Sequence, residues 1–143
     1  MSEPGWRDAA APSLEQIAAL AEAAFADLPQ RFRWQAGDIV FRVDDLPSDD
    51  VLDELGIEDP FELTGLYQGV DLGRQSVLDP SPEPARVFLY RRPILDEWAE
   101  RGDVSLGDLV AHVLVHEIGH HFGLSDADIE AIEAEADIEA EAD

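Results

Sequence analysis

With 143 residues, 45% of them hydrophobic, the chain has the length and composition of one soluble globular domain, and no apolar run is long enough to span a membrane. Its 33 acidic residues outnumber 9 basic ones, all of them arginine, and a net charge of −24 repels phosphate backbones and argues against a nucleic-acid partner. Cysteine is absent, which excludes disulfides and thiolate ligands, so any metal must be held by histidine and carboxylate side chains. The first residues, Met1 to Trp6, carry neither the basic region nor the apolar stretch of a signal peptide, and the expected compartment is the cytoplasm.

Residues 1–12 form a Pro/Ala-rich lead without periodicity, expected to be loose. Ser13-Leu14-Glu15-Gln16 is a capping-box start, and Leu14, Ile17, Leu20, Ala21, Ala24 and Leu28 keep helical period up to Pro29. Ile39–Val43 alternates apolar and polar side chains and predicts a strand. Ser48 caps a short helix through Leu55, ended by Gly56, and Thr64–Gly69 predicts a second strand. Gly73–Pro84, with three prolines, predicts a polar loop. Arg86–Arg91 predicts a third strand, and Pro93 is expected to open a helix running to about Arg101. Ser105 then caps a helix whose Leu106, Leu109, Val110, Val113, Leu114 and Ile118 follow at helical spacing. A last helix is expected from Asp126 or Ala127, with Ile129 and Ile132 on its inner side. The fold class is therefore α+β, a small sheet of about three strands packed on one functional helix. One domain spans residues 13–137, and residues 138–143 form an acidic tail that repeats Ile132–Asp137 and reads as a solvated end.

All four histidines lie between His112 and His121, and His116 to Asp126 reads H-E-x-x-H-x-x-G-x-x-D. Residues four apart on a helix share a face about 6 Å along its axis, so the imidazoles of His116 and His120 can meet on one ion. Glu117 falls beside that ion, where a carboxylate can take a proton from a metal-bound water. Gly123 can end the helix and turn the chain, bringing Asp126 round as a third, oxygen ligand. Three protein ligands and an open position describe a catalytic zinc site, whereas a structural site is closed by four. The competing reading is a buried helix that carries histidines by chance. A core face has no evident reason to hold two histidines and a glutamate, each of which costs desolvation if unpaired.

This pattern resembles the zincin superfamily, with Asp in place of the third histidine of metzincin-like motifs. The one methionine is Met1, so no methionine is present for a downstream Met-turn. The chain more closely resembles small bacterial minimal zincins, single-domain metallopeptidases, over roughly Ile39 to Ile132. The similarity is specific over Val115–Asp126, and Val87–Pro93 (V-F-L-Y-R-R-P) matches that family's strand-to-helix segment. The resemblance implies a zinc-binding fold with peptidase activity.

Other residues admit two readings. His112, four before His116, is either an outer partner of the site's carboxylates or a satisfied half-buried histidine. His121 points about 140° round the helix from His116, away from the metal. Glu133 and Glu139 are alternative third ligands, but the Gly123 turn serves only closure by Asp126. Tyr67 and Tyr90 could stabilise an oxyanion, or simply belong to the core or a strand face. Trp98, Phe88 and Phe122 are expected in the core. The leading function is hydrolysis of a peptide bond in a peptide or protein substrate. Zn²⁺ would be held by His116, His120 and Asp126, and Glu117 would be the general base. The alternative is a metal-dependent binding or regulatory module with little turnover, for which Glu117 is dispensable.

Overall fold

The architecture comes from a computed structural model, which describes residues 6–30, 33, 39–69, 85–121, 123–124, 127–131 and 134, excepting the side chains of Trp6 and His121. Within the lead, Trp6–Asp8 forms a single 3₁₀ turn. The first helix, α1, spans Leu14–Ala26. Its capping box is complete: Ser13 Oγ accepts from Gln16 N at 3.2 Å, and Ser13 N donates to Gln16 Oε1 at 2.8 Å. Strand β1 is Val40–Asp44, and α2 is Asp49–Leu55, which ends at Gly56. After a 3₁₀ turn at Pro60–Glu62 come β2, Gly65–Gln68, and β3, Arg86–Tyr90. Helix α3, Arg91–Arg101, follows directly, and α4, Leu106–His121, carries the histidines. Residues 127–131 are helical again, as expected for the last helix, whereas Ile132 lies outside the described residues.

Most boundaries fall within a residue or two of expectation. Among the helix starts the largest shift is at α3, which opens at Arg91, two residues before Pro93. Proline costs little there, because first-turn N–H groups have no intrahelical partner to lose. Arg91 ties that start to two other segments: it reaches Asp45 Oδ1 at 3.2 Å and donates to the carbonyl of Pro12. The predicted Gly73–Pro84 loop and the 138–143 tail lie outside the described residues.

The sheet order is β1-β3-β2, with β1 parallel and β2 antiparallel to β3. Val87 and Leu89 point to one face, where they join Ile17, Ala21, Leu109, Val110, Val113, Leu114 and Ile118 in the core. Helices α1 and α4 cover that face, pack on each other, and leave Phe88 and Tyr90 on the opposite one, where their rings stack with centroids 6.3 Å apart. Phe88 is thus half-buried on the sheet's second face rather than in the inner core. Trp98 packs against the core edge and donates from Nε1 to Val104 O at 2.9 Å. Phe122 lies outside the described residues.

Two glycines set how closely α4 is approached. A Cβ at Gly65 would stand 2.8 Å from Val113 Cγ1 and 3.0 Å from Glu117 Cγ. One at Gly119 would stand 2.5 Å from both Cγ1 and Cδ1 of Ile129. The first contact seats β2 on the helix, and the second seats the returning C-terminal segment on it.

Gly119→Ala weighs two effects. The gain in helix propensity is about 1 kcal/mol, whereas forcing a methyl into a filled contact costs about 1–3 kcal/mol. Ile129 is 2% exposed and cannot swing into solvent, so a net loss of stability is expected. Ile129→Val removes the clashing Cδ1 and should recover part of that loss in the double mutant. Urea unfolding of the four-protein cycle measures this, and additive effects would contradict the contact.

Candidate metal centre

Helix α4 is long and its inner stripe fixes its rotation. Ser105 caps it, with Asp108 N donating to Ser105 Oγ at 3.1 Å. Leu109, Val110, Val113, Leu114 and Ile118 are all buried, so the helix cannot turn about its axis without exposing them. That rotation leaves His112 and His120 exposed and His116 half-buried along one face.

The rings of His116 and His120 stand edge to face, centroids 5.4 Å apart with an 84° interplanar angle. Two imidazoles bound to one tetrahedral ion at Zn–N distances of about 2 Å would place their centroids roughly 5 Å apart. The observed separation is close to that value, and imidazole nitrogens are donors of the borderline type that suits zinc. Glu117 lies beside the pair, with Oε1 4.0 Å from His120 Nε2. It is the only charged side chain buried among the described residues, at 9% exposure. Val113 and the Gly65 end of β2 enclose its methylene stem, and burial pushes its carboxyl up to about 7. A nearby divalent cation would oppose that shift by favouring the charged form.

Gly123 has φ 67°, the left-handed conformation that ends a helix. Leu124 N donates back to Gly119 O at 3.0 Å, and Gly123 N to His120 O at 3.1 Å, so the chain turns where the motif requires it. Asp126 and the alternatives Glu133 and Glu139 lie outside the described residues. Among the described residues no group of three or more metal-ligating side chains converges.

The two tyrosines part company. Tyr67, on β2, lies over His120 with nearly parallel rings and centroids 6.5 Å apart. Tyr90 is 2% exposed, and burial, with Asp44 and Glu117 adding to it, pushes its hydroxyl up to about 12. It stays protonated at neutral pH, within electrostatic range of the Glu117 carboxylate. Sequence reasoning did not single out Gly65, although a glycine inside a strand is a known sign of close backbone approach. Nothing in the sequence pattern marks the Tyr67–His120 stack.

A family model described as a zincin-like metallopeptidase matches residues 36–136, more than half of the 143-residue chain. A search of curated proteins finds no match.

In metal-free protein, Glu117 binds its proton more tightly folded, near 7, than unfolded, near 4.5. Its contribution to stability is full below the unfolded value and is lost as pH rises through the folded one, by on the order of 3 kcal/mol. Urea unfolding in a chelator should show wild type losing that much more than Glu117→Gln between acid and mildly alkaline pH. The mutant cancels the general repulsion among carboxylates, which both proteins share. Parallel pH profiles would show that Glu117 is not buried as described.

Proposed function

The chain belongs to the zincin-like metallopeptidase family, and from that premise we propose that it is a zinc-dependent hydrolase of peptide bonds. His116, His120 and Asp126 would hold the ion, and Glu117 is the general base. The observation that carries the reading is the pairing of the two imidazoles at ion-sharing distance with one buried carboxylate at their side. A bound zinc supplies Lewis acidity, polarising the scissile carbonyl and making water a nucleophile near neutral pH.

The protein's own groups do the rest. Glu117 accepts a proton from water as the water attacks, and returns it to the leaving amine nitrogen. Its enclosure by Val113 and the Gly65 backbone limits the rotamers open to it, which keeps the carboxylate aimed along the histidine face. An extended peptide would pair with the outer edge of β2, with which no described strand pairs, adding main-chain hydrogen bonds. Peptide or protein is the substrate class, since the net charge of −24 disfavours nucleic acid. No helix among the described residues is long and apolar enough to cross a membrane, and the cytoplasm is the compartment that suits a cysteine-free chain.

Glu117→Gln should keep about one zinc per chain while cleavage of a broad peptide library falls by at least ~100-fold. Asp126→Ala should weaken zinc binding, with added zinc restoring part of the activity. Elemental analysis and library digestion measure both. Zinc retained in the His116→Ala/His120→Ala double mutant would refute the site. Zinc bound with no cleavage by wild type would point instead to a metal-dependent binding module.

A further inference from the structure

Like β2, strand β1 lies at an edge of the sheet, and no described strand pairs with its outer side. Val40 N donates to Ala85 O, so Val40, Arg42 and Asp44 turn their backbone groups toward β3, whereas Phe41 and Val43 turn theirs outward. Val40 and Phe41 are two of the three large hydrophobic side chains exposed among the described residues. An apolar edge of this kind is a template for pairing unless something blocks it. The charges on β1 are Arg42 and Asp44, which share the second face of the sheet. They pair with each other at 3.2 Å and both reach solvent.

Those two charges would block most strands, but they complement a second β1. Residues directly opposite across an antiparallel pair share a face. A two-fold axis through Val43, perpendicular to the sheet, therefore sets Arg42 of one copy opposite Asp44 of the other, and the reverse. Val43 meets Val43 at the centre, where both offer outward N–H and C=O groups. Phe41 lies diagonally across from Val43 of the other copy, within reach of an aromatic ring. An axis through Arg42 would instead oppose two arginines, and one through Asp44 two aspartates. An axis through Phe41 leaves Arg42 opposite Val40. Opposite charges thus meet in one register only.

We propose that β1 is the contact between two copies of this chain, paired antiparallel about Val43 so that two three-stranded sheets become one of six strands. The occupant is a second copy rather than a foreign strand, because the charge pattern of β1 is its own complement. The assembly keeps β2 at both outer edges and so leaves each histidine face open. It does not depend on the metallopeptidase reading. Each chain carries −24, which opposes association at long range. Pairing is therefore expected at about 0.15 M salt, where the screening length is about 8 Å.

Sedimentation velocity of the full chain at that ionic strength, in a series up to about 1 mM protein, should show a reversible monomer–dimer equilibrium. Arg42→Asp sets two aspartates face to face, and Asp44→Arg two arginines. Each change acts twice in a two-fold dimer and should raise Kd at least about tenfold. The double variant Arg42→Asp/Asp44→Arg exchanges the charges and should return Kd to within about threefold of wild type. Thermal unfolding checks that the folds of the variants are equivalent. Wild type that stays monomeric throughout the series would overturn the proposal. So would a dimer indifferent to the single changes, or a double variant no tighter than either single one.

Discussion

The closeness of strand β2 to the histidine helix is the constraint on which the rest of the site depends. Helix and sheet can touch there only because Gly65 has no side chain where Val113 and Glu117 press in. The contact has two consequences at once. It buries the carboxylate, which brings its proton affinity close to neutrality. It also sets the outer edge of the sheet along the face that carries His116 and His120. A wider gap would admit water around Glu117 and return it to an ordinary acid.

Burying one carboxylate in a protein this acidic is a specific choice, because 33 acidic residues could otherwise remain solvated. Elsewhere the carboxylates do routine work at the surface: Asp44 pairs with exposed Arg42, and Glu97 with Arg101 one helical turn on. Such exposed pairs contribute little stability. Arg91 differs, since it joins the loop after β1 to the segment ahead of α1 and so fixes the entry to α3. Stability thus rests on the apolar seam between α1, α4 and the sheet, and the buried glutamate is the one charged exception among the described residues.

Much of this was readable in the residues. The capping box at Ser13, the caps at Ser48 and Ser105, Gly56 and the alternation in Ile39–Val43 placed the elements because each is a local rule with a local cause. The His116–His120–Glu117 grouping was legible for the same reason, since helical spacing alone puts the three together. What the sequence concealed is what depends on distant segments meeting. Gly65 and Gly119 look alike on paper, yet one admits a strand and the other a helix. Tyr67 and Tyr90 were equivalent candidates, and only the strand register separates them, placing Tyr67 on the helix-covered face and Tyr90 on the other. Pro93 does not mark the start of α3, because any first-turn position suits a proline.

A single helix divides the labour of the site by rotation. Successive residues turn by about 100°, so relative to His116 the ring of His120 is only about 40° round, Glu117 about 100° one way and Gly119 about 60° the other. The sheet therefore meets the helix on the Glu117 side and the returning C-terminal segment on the Gly119 side, with the imidazole pair between them. Both flanking elements belong to the same small domain. A substitution in either one is therefore expected to act on the site without touching an imidazole. Moving β2 changes the solvation of the base, whereas moving Ile129 changes where the chain goes after the Gly123 turn.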